Sequence, residues 1–338
     1  MSWRGAPAWT YGALAAALAV ALNLGAEWNR RLVILPRHGQ ILFGQANGEQ
    51  VEAAAGAAGS PRTWQKIEKL PGARRASYGF VDFKQDRITF SYKIPEPAFR
   101  AYNDSYGYRP EDVKALQEWR TNATQSSYRL AVASHKSQAQ VDAAAAAIQK
   151  EYQQKLHDYL SDRGFLLEPG GLTRIDMPGV VRRNGPLVKP IAQVFDRFAT
   201  SHGYQSMDII GAVLSFAQTA VNYKEPEDVY KGKHTGGILP PITTVVLGWG
   251  DCDTKTGMVA SILSNWGQMR MVGVSVPGHY LMGVLQIPDK GDMFVEFKGL
   301  QYILLEPAGP GWMPPGQVAE ETVAQLNASD GYKMYPFF

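Results

Sequence analysis

Residues 248–260 read Gly248-Trp249-Gly250-Asp251-Cys252-Asp253-Thr254-Lys255-Thr256-Gly257-Met258-Val259-Ala260, and they hold the one cysteine of the chain. A Gly-rich turn with two flanking carboxylates runs directly into apolar residues at helical spacing: Met258, Val259, Ile262, Leu263 and Trp266. This puts Cys252 at or near a helix N-terminus. Free backbone N–H groups and the positive end of the helix dipole favour a thiolate there. The thiolate is the attacking form of a nucleophilic cysteine, and an ordinary thiol at neutral pH is mostly protonated. A lone cysteine is otherwise read as a small buried apolar residue. The flanking Gly and Asp residues, and two motifs further along, point to chemistry instead.

The first motif is Pro277-Gly278-His279-Tyr280-Leu281-Met282-Gly283-Val284, a histidine opening a strand-like run. The second is Tyr302-Ile303-Leu304-Leu305-Glu306-Pro307, a carboxylate closing another apolar run. Cys252 to His279 and His279 to Glu306 are each 27 residues. A cysteine on a helix start, a histidine on a strand and an acid on a later strand make a nucleophile, a base and an orienter. Asp292 and Glu296 are rival orienters, the former in a turn.

In combination, G-D-C-D-T-K before an apolar helix, P-G-H-Y-L-M-G-V and Y-I-L-L-E-P-A-G-P-G-W resemble the bacterial transglutaminase-like cysteine peptidase superfamily. The run L-S-F-A-Q-T-A-V-N-Y at 214–223 is similar to the segment that precedes the cysteine in that superfamily, and the whole resemblance spans residues 190–320. It implies an α+β fold with a papain/transglutaminase-like core, a nucleophile helix packed on an antiparallel sheet. It also implies thiol acyl transfer on a peptide or carboxamide through Cys252, His279 and Glu306, with a protein or peptide as substrate and with no cofactor or metal. Two positions depart from the pattern. Asp253-Thr254 stands where many members have Glu-Asp, and Glu306 stands where the third residue is commonly Asp.

Gln218 is the fourth candidate. Its amide is expected either to donate to an oxyanion, as in papain-like enzymes, or to satisfy local backbone. Asp251 and Asp253 are expected to cap the helix and hold the turn; a calcium site there lacks the ligand spacing. Transfer of the acyl group to water makes a peptidase or amidase, the preferred expectation, and transfer to an amine makes a cross-linking transglutaminase. A reading of a different class is a membrane-tethered interaction module with a catalytically degenerate site.

The net charge of +3 gives no argument for nucleic acid, and none is expected as a partner. One cysteine excludes an intramolecular disulfide and a cysteine-based zinc cluster. With 338 residues the chain has length for one to three domains. Residues 5–26 carry no charge, so residues 1–26 are expected to be a membrane anchor or a signal segment. An uncleaved anchor is preferred, because Leu24 would sit at the −3 position of a cleavage site. Arg30, Arg31 and Arg37 would hold the C-terminal side in the cytoplasm by the positive-inside rule. The resemblance implies export, and an extracytoplasmic (periplasmic) catalytic domain is the expectation.

After that segment, residues 27–108 read as a small β-rich module behind a Gly/Ala-rich linker. The alternation of Ile88, Phe90, Tyr92 and Ile94 carries the β reading. Residues 109–165 hold no Gly or Pro from 111 to 163 and read as one long helix or a helical hairpin broken near 134–137. Residues 166–189 read as a Gly/Pro-rich linker, and residues 190–338 as the catalytic domain.

Overall fold

The computed structural model describes residues 62–328 and 331–337. They begin with a three-stranded antiparallel meander, β1 (Trp64–Leu70), β2 (Ala73–Val81) and β3 (Arg87–Pro95). Ile88, Phe90, Tyr92 and Ile94 alternate inward along β3 and are fully buried. This sheet is not a separate module. Tyr78, Phe80 and Phe90 form one aromatic cluster with Phe195 and Phe216, with Tyr78 edge-on to Phe216 at 5.0 Å. Each such ring contributes about 1.5–3 kcal/mol by leaving water. The sheet therefore shares its core with the segment that carries the cysteine.

Helix α1 (Glu96–Asp104) follows, then a helical hairpin of α2 (Pro110–Ala133) and α3 (Gln138–Asp162). Pro110 starts α2, with Glu111 and Asp112 in its first turn. The chain reverses at 134–137, where His135 takes φ 48° and Ser137 forms a capping box with Gln140. The Gly/Pro-rich stretch that follows is structured. It forms a small ribbon, β4 (Phe165–Leu167) with β5 (Thr173–Ile175), and then α4 (Met177–Asn184). Asp176 caps α4 by accepting the Gly179 N–H at 3.0 Å, and Val180 and Val181 are buried.

Two further helices are α5 (Lys189–His202) and α6 (Ser206–Ser215), the latter continued by a π-helical turn, Phe216–Ala220. A loop with two-residue strands β6 (Asn222–Tyr223), β7 (Val229–Tyr230) and β8 (Lys233–His234) leads to α7 (Pro241–Leu247). The short β9 (Trp249–Gly250) precedes α8 (Cys252–Leu263). Every residue of α8 from Thr254 to Leu263 is buried. Small side chains allow this close packing: a Cβ on Gly257 would lie 3.1 Å from the Met177 sulfur.

Helix α8 packs on a five-stranded antiparallel sheet. Its strands are β10 (Met271–Val276), β11 (His279–Leu285), β12 (Phe294–Phe297), β13 (Leu300–Leu305) and β14 (Lys333–Pro336), in the order β12-β13-β11-β10-β14. The last helix, α9 (Glu320–Leu326), lies between β13 and β14 in the chain. Strand β14 adds a fifth member beyond the four legible in the sequence, pairing Gly273 with Tyr335 along β10.

The expected fold included a transmembrane helix, and that part is corrected. Among the described residues no helix is long and apolar enough to cross a membrane. The uncharged run at 5–26, which carried the expectation of an anchor or signal segment, lies outside the described residues. What the structure has is an α+β chain whose long helices, α2 and α3, are polar over most of their surface.

Candidate active site

Cys252 is the first residue of α8, and the turn before it fixes that position. Gly248 ends α7 with φ 73°, the left-handed region that a side chain disfavours. Strand β9 then pairs in parallel with β6, Trp249 opposite Asn222 and Gly250 opposite Tyr223. A Cβ on Gly250 would lie 2.3 Å from Thr254 Cγ2, so only glycine fits. Asp251 caps the helix, its Oδ1 accepting the Thr254 N–H at 3.1 Å.

His279 opens β11 directly after a two-residue turn, Pro277-Gly278, with Gly278 at φ 73° and Val276 paired to His279. Thr256 of α8 donates to the Tyr280 carbonyl at 3.2 Å and ties the Cys252 helix to the His279 strand. Glu306 lies one residue past β13 and is 2% exposed. Its Oε1 is 2.8 Å from His279 Nε2, and its Oε2 accepts from the Thr322 hydroxyl at 2.9 Å. A carboxylate is an acceptor only, so His279 donates its Nε2–H. In the neutral ring Nδ1 then carries the lone pair.

Gln218 sits in the π-helical turn and is 1% exposed. Its amide nitrogen donates to the carbonyls of Glu306 (2.8 Å) and Met313 (2.9 Å), and its Oε1 accepts the Met313 N–H at 3.0 Å. Both amide protons are spent on backbone. Gln218 thus clamps the strand end that carries Glu306, through backbone 88 and 95 residues away and not the local backbone expected from sequence. A Cβ on Gly309 would lie 2.4 Å from the Gln218 carbonyl oxygen, so the loop after Glu306 approaches this clamp through a glycine.

The electrostatics differ from a helix-start thiolate. The Cys252 thiol donates to Asp253 Oδ1 at 3.2 Å. Burial, then the Asp253 charge and this bond, then Asp251, push the thiol up to about 12; only the Tyr280 backbone N–H opposes them. Burial also raises Asp253, partly offset by its bond to the thiol and by His279. Burial alone would lower His279, but the Glu306 bond and charge, with Asp253, hold it above its ordinary value. Lys255 is fully buried, its Nζ donating to the Ala308 carbonyl at 2.6 Å. Burial lowers it to about 8 against the pull of Asp251. Lys255 and Thr322 carried no signal in the sequence, because each is identified only by what it touches.

Cys252 and His279 line one cleft of about 470 Å³, with Asp251, Asp253, Glu225 and Asp228 in its walls and no Lys or Arg among the described residues that line it. Among the described residues no group of three or more His, Cys, Asp and Glu side chains could hold a metal ion. No family model matches the chain, and neither does any curated protein or solved structure.

Proposed function

We propose that the protein is a cysteine hydrolase that cleaves a peptide or carboxamide bond by thiol acyl transfer. The observation that carries this reading is the 2.8 Å bond from His279 Nε2 to Glu306. It leaves Nδ1 as the basic nitrogen, on a histidine that shares a cleft with the one cysteine.

Cys252 rests as a thiol held by Asp253, not as a preformed thiolate. On attack its sulfur bonds to the substrate carbonyl carbon and its proton passes to His279 Nδ1. The Thr254 N–H is taken by Asp251, so the donors assigned to the developing oxyanion are the Cys252 and Asp253 N–H groups at the start of α8. The C–N bond then breaks and Nδ1 returns the proton to the leaving amine. Water attacks the thioester, giving a proton to Nδ1; the C–S bond breaks to release the acid, and Nδ1 returns the proton to the Cys252 sulfur. Glu306, fixed by Thr322 and by the Gln218 clamp, holds the ring throughout. The carboxylates of the cleft favour a cationic substrate segment. They would equally draw an amine acceptor to the thioester, which supports transamidation as the second reading.

The test is a burst assay with 4-nitrophenyl acetate. Wild type releases one nitrophenolate per chain as Cys252 is acylated; Cys252→Ala shows no burst, and His279→Ala slows it about a hundredfold or more. Absence of a burst, or a burst indifferent to His279, sinks the enzyme reading. The raised thiol would then mark Cys252 as the inert residue of an interaction module. Adding an amine to the acylated protein separates transfer from hydrolysis.

A further inference from the structure

A second cavity of about 490 Å³ opens elsewhere on the protein, and Cys252 and His279 do not line it. Five segments contribute to it: the end of β1, β2, α1, the start of α2, and the β7–β8 hairpin with the residues that follow it. Its basic side chains are Lys69, Arg74, Arg100, Arg109, Lys231 and Lys233, against the carboxylates of Glu96 and Asp104. That is six cations to two anions in one concavity, in a chain whose whole net charge is +3.

Much of this charge is already committed. Arg74 and Arg100 both bind Glu96, at 2.8 and 3.1 Å. Lys233 is buried and donates to the carbonyls of Asn103 and Tyr106, with Asp104 at 3.8 Å. Three cations remain. Lys69 and Lys231 have no carboxylate partner among the described residues, and Arg109 has only the exposed Glu111 at 3.6 Å. Like charges gathered on a concave surface repel, and an anion relieves that repulsion. The floor is apolar, formed by Phe99, Ile238, Leu239 and Pro240. A volume in the range of about 300–1,000 Å³, with an apolar floor and a few convergent charges, fits a small organic ligand.

We infer that this cavity is a binding site for a small organic anion. Its phosphate or carboxylate head meets Lys69, Arg109 and Lys231, and its apolar body lies on Phe99, Leu239 and Pro240. The site does not depend on any chemistry at Cys252.

The test uses the full chain and anilinonaphthalene sulfonate, an anion with an apolar body whose fluorescence rises on binding. Saturable binding at one site is expected. Lys69→Glu with Lys231→Glu, both exposed, should weaken it about tenfold or more, with circular dichroism and melting unchanged. Lys114→Glu with Lys150→Glu makes the same charge change on the helical hairpin and should leave binding within about twofold. Displacement by pyrophosphate assigns a phosphate head, and displacement by citrate a carboxylate head. Four results overturn the site: no saturable binding, no loss in the first double variant, equal loss in both double variants, or displacement matched by sodium chloride of equal ionic strength. Failure of both competitors overturns the oxyanion head.

Discussion

The Cys252 sulfur donates its proton to Asp253 Oδ1 at 3.2 Å, so the residue that follows Cys252 in the chain is also the group that holds it protonated. Asp253 is also one of the carboxylates in the wall of the cleft. Replacing it by Asn removes the negative charge and keeps a side chain of the same shape.

Asp253→Asn should let the thiol titrate at lower pH. A fall of one pKa unit increases the thiolate fraction about tenfold, so iodoacetamide modification of Cys252 at pH 8 should accelerate by about that factor. The second-order alkylation rate checks this. An unchanged or slower rate would show that Asp253 does not set the thiol, leaving burial and Asp251.

His279 should titrate above its ordinary value in the folded protein, and lower in Glu306→Gln. Its folded pKa is raised, so the stability from the charged His279–Glu306 pair is fully present below about pH 6.5. It is lost as pH rises through the raised value. The melting gap between wild type and Glu306→Gln should therefore be wider at pH 6 than at pH 9. In the proposed mechanism His279 must be neutral to accept the thiol proton, so acylation should rise with pH over the same window. NMR titration of the ring proton, with melts at both pH values, makes the check.

Gln218→Ala removes three hydrogen bonds and strands buried backbone groups at Glu306 and Met313. The expected cost is about 2–4 kcal/mol in denaturant unfolding. Gln218→Glu should cost at least as much, since it places a carboxylate against two carbonyls. A Gln218→Ala protein of normal stability whose acylation alone fails would restore the oxyanion role to this residue.

Glu225 and Asp228 line the cleft and are exposed. They should speed a cationic thiol reagent relative to an anionic one. The rate ratio of aminoethyl to sulfonatoethyl methanethiosulfonate at Cys252 should fall severalfold in Glu225→Gln with Asp228→Asn, and also at high salt. A ratio that ignores both changes would leave the cleft without charge selectivity.

Much of the site was legible because its parts are local. The helix start at Cys252 follows from a glycine turn, a capping Asp and an apolar run. The strand at His279 follows from a Pro-Gly turn and a continuous apolar run. What local pattern missed was partnership. The sequence left Gln218 between two roles, and only the packed loop at Met313 shows where its amide points. The helix-dipole argument favoured a thiolate and did not count the burial and the two adjacent carboxylates that push the thiol up. The stretch at 166–189 reads as a linker by composition, but Asp176 caps a helix within it and Val180 and Val181 are buried.

The sequence by itself determined which residue is the nucleophile candidate and which elements present Cys252, His279 and Glu306, because turn chemistry and periodicity act over a few residues. Only the tertiary structure decided that Glu306 binds His279 through Nε2, that Gln218 is a clamp, that Thr322 holds Glu306, that Lys255 is buried against the Ala308 carbonyl, and that Asp253 accepts from the thiol. It also decided that six cations from separate segments face one cavity. Distances between residues far apart in the chain, and the desolvation that comes with packing, exist only once the elements are assembled.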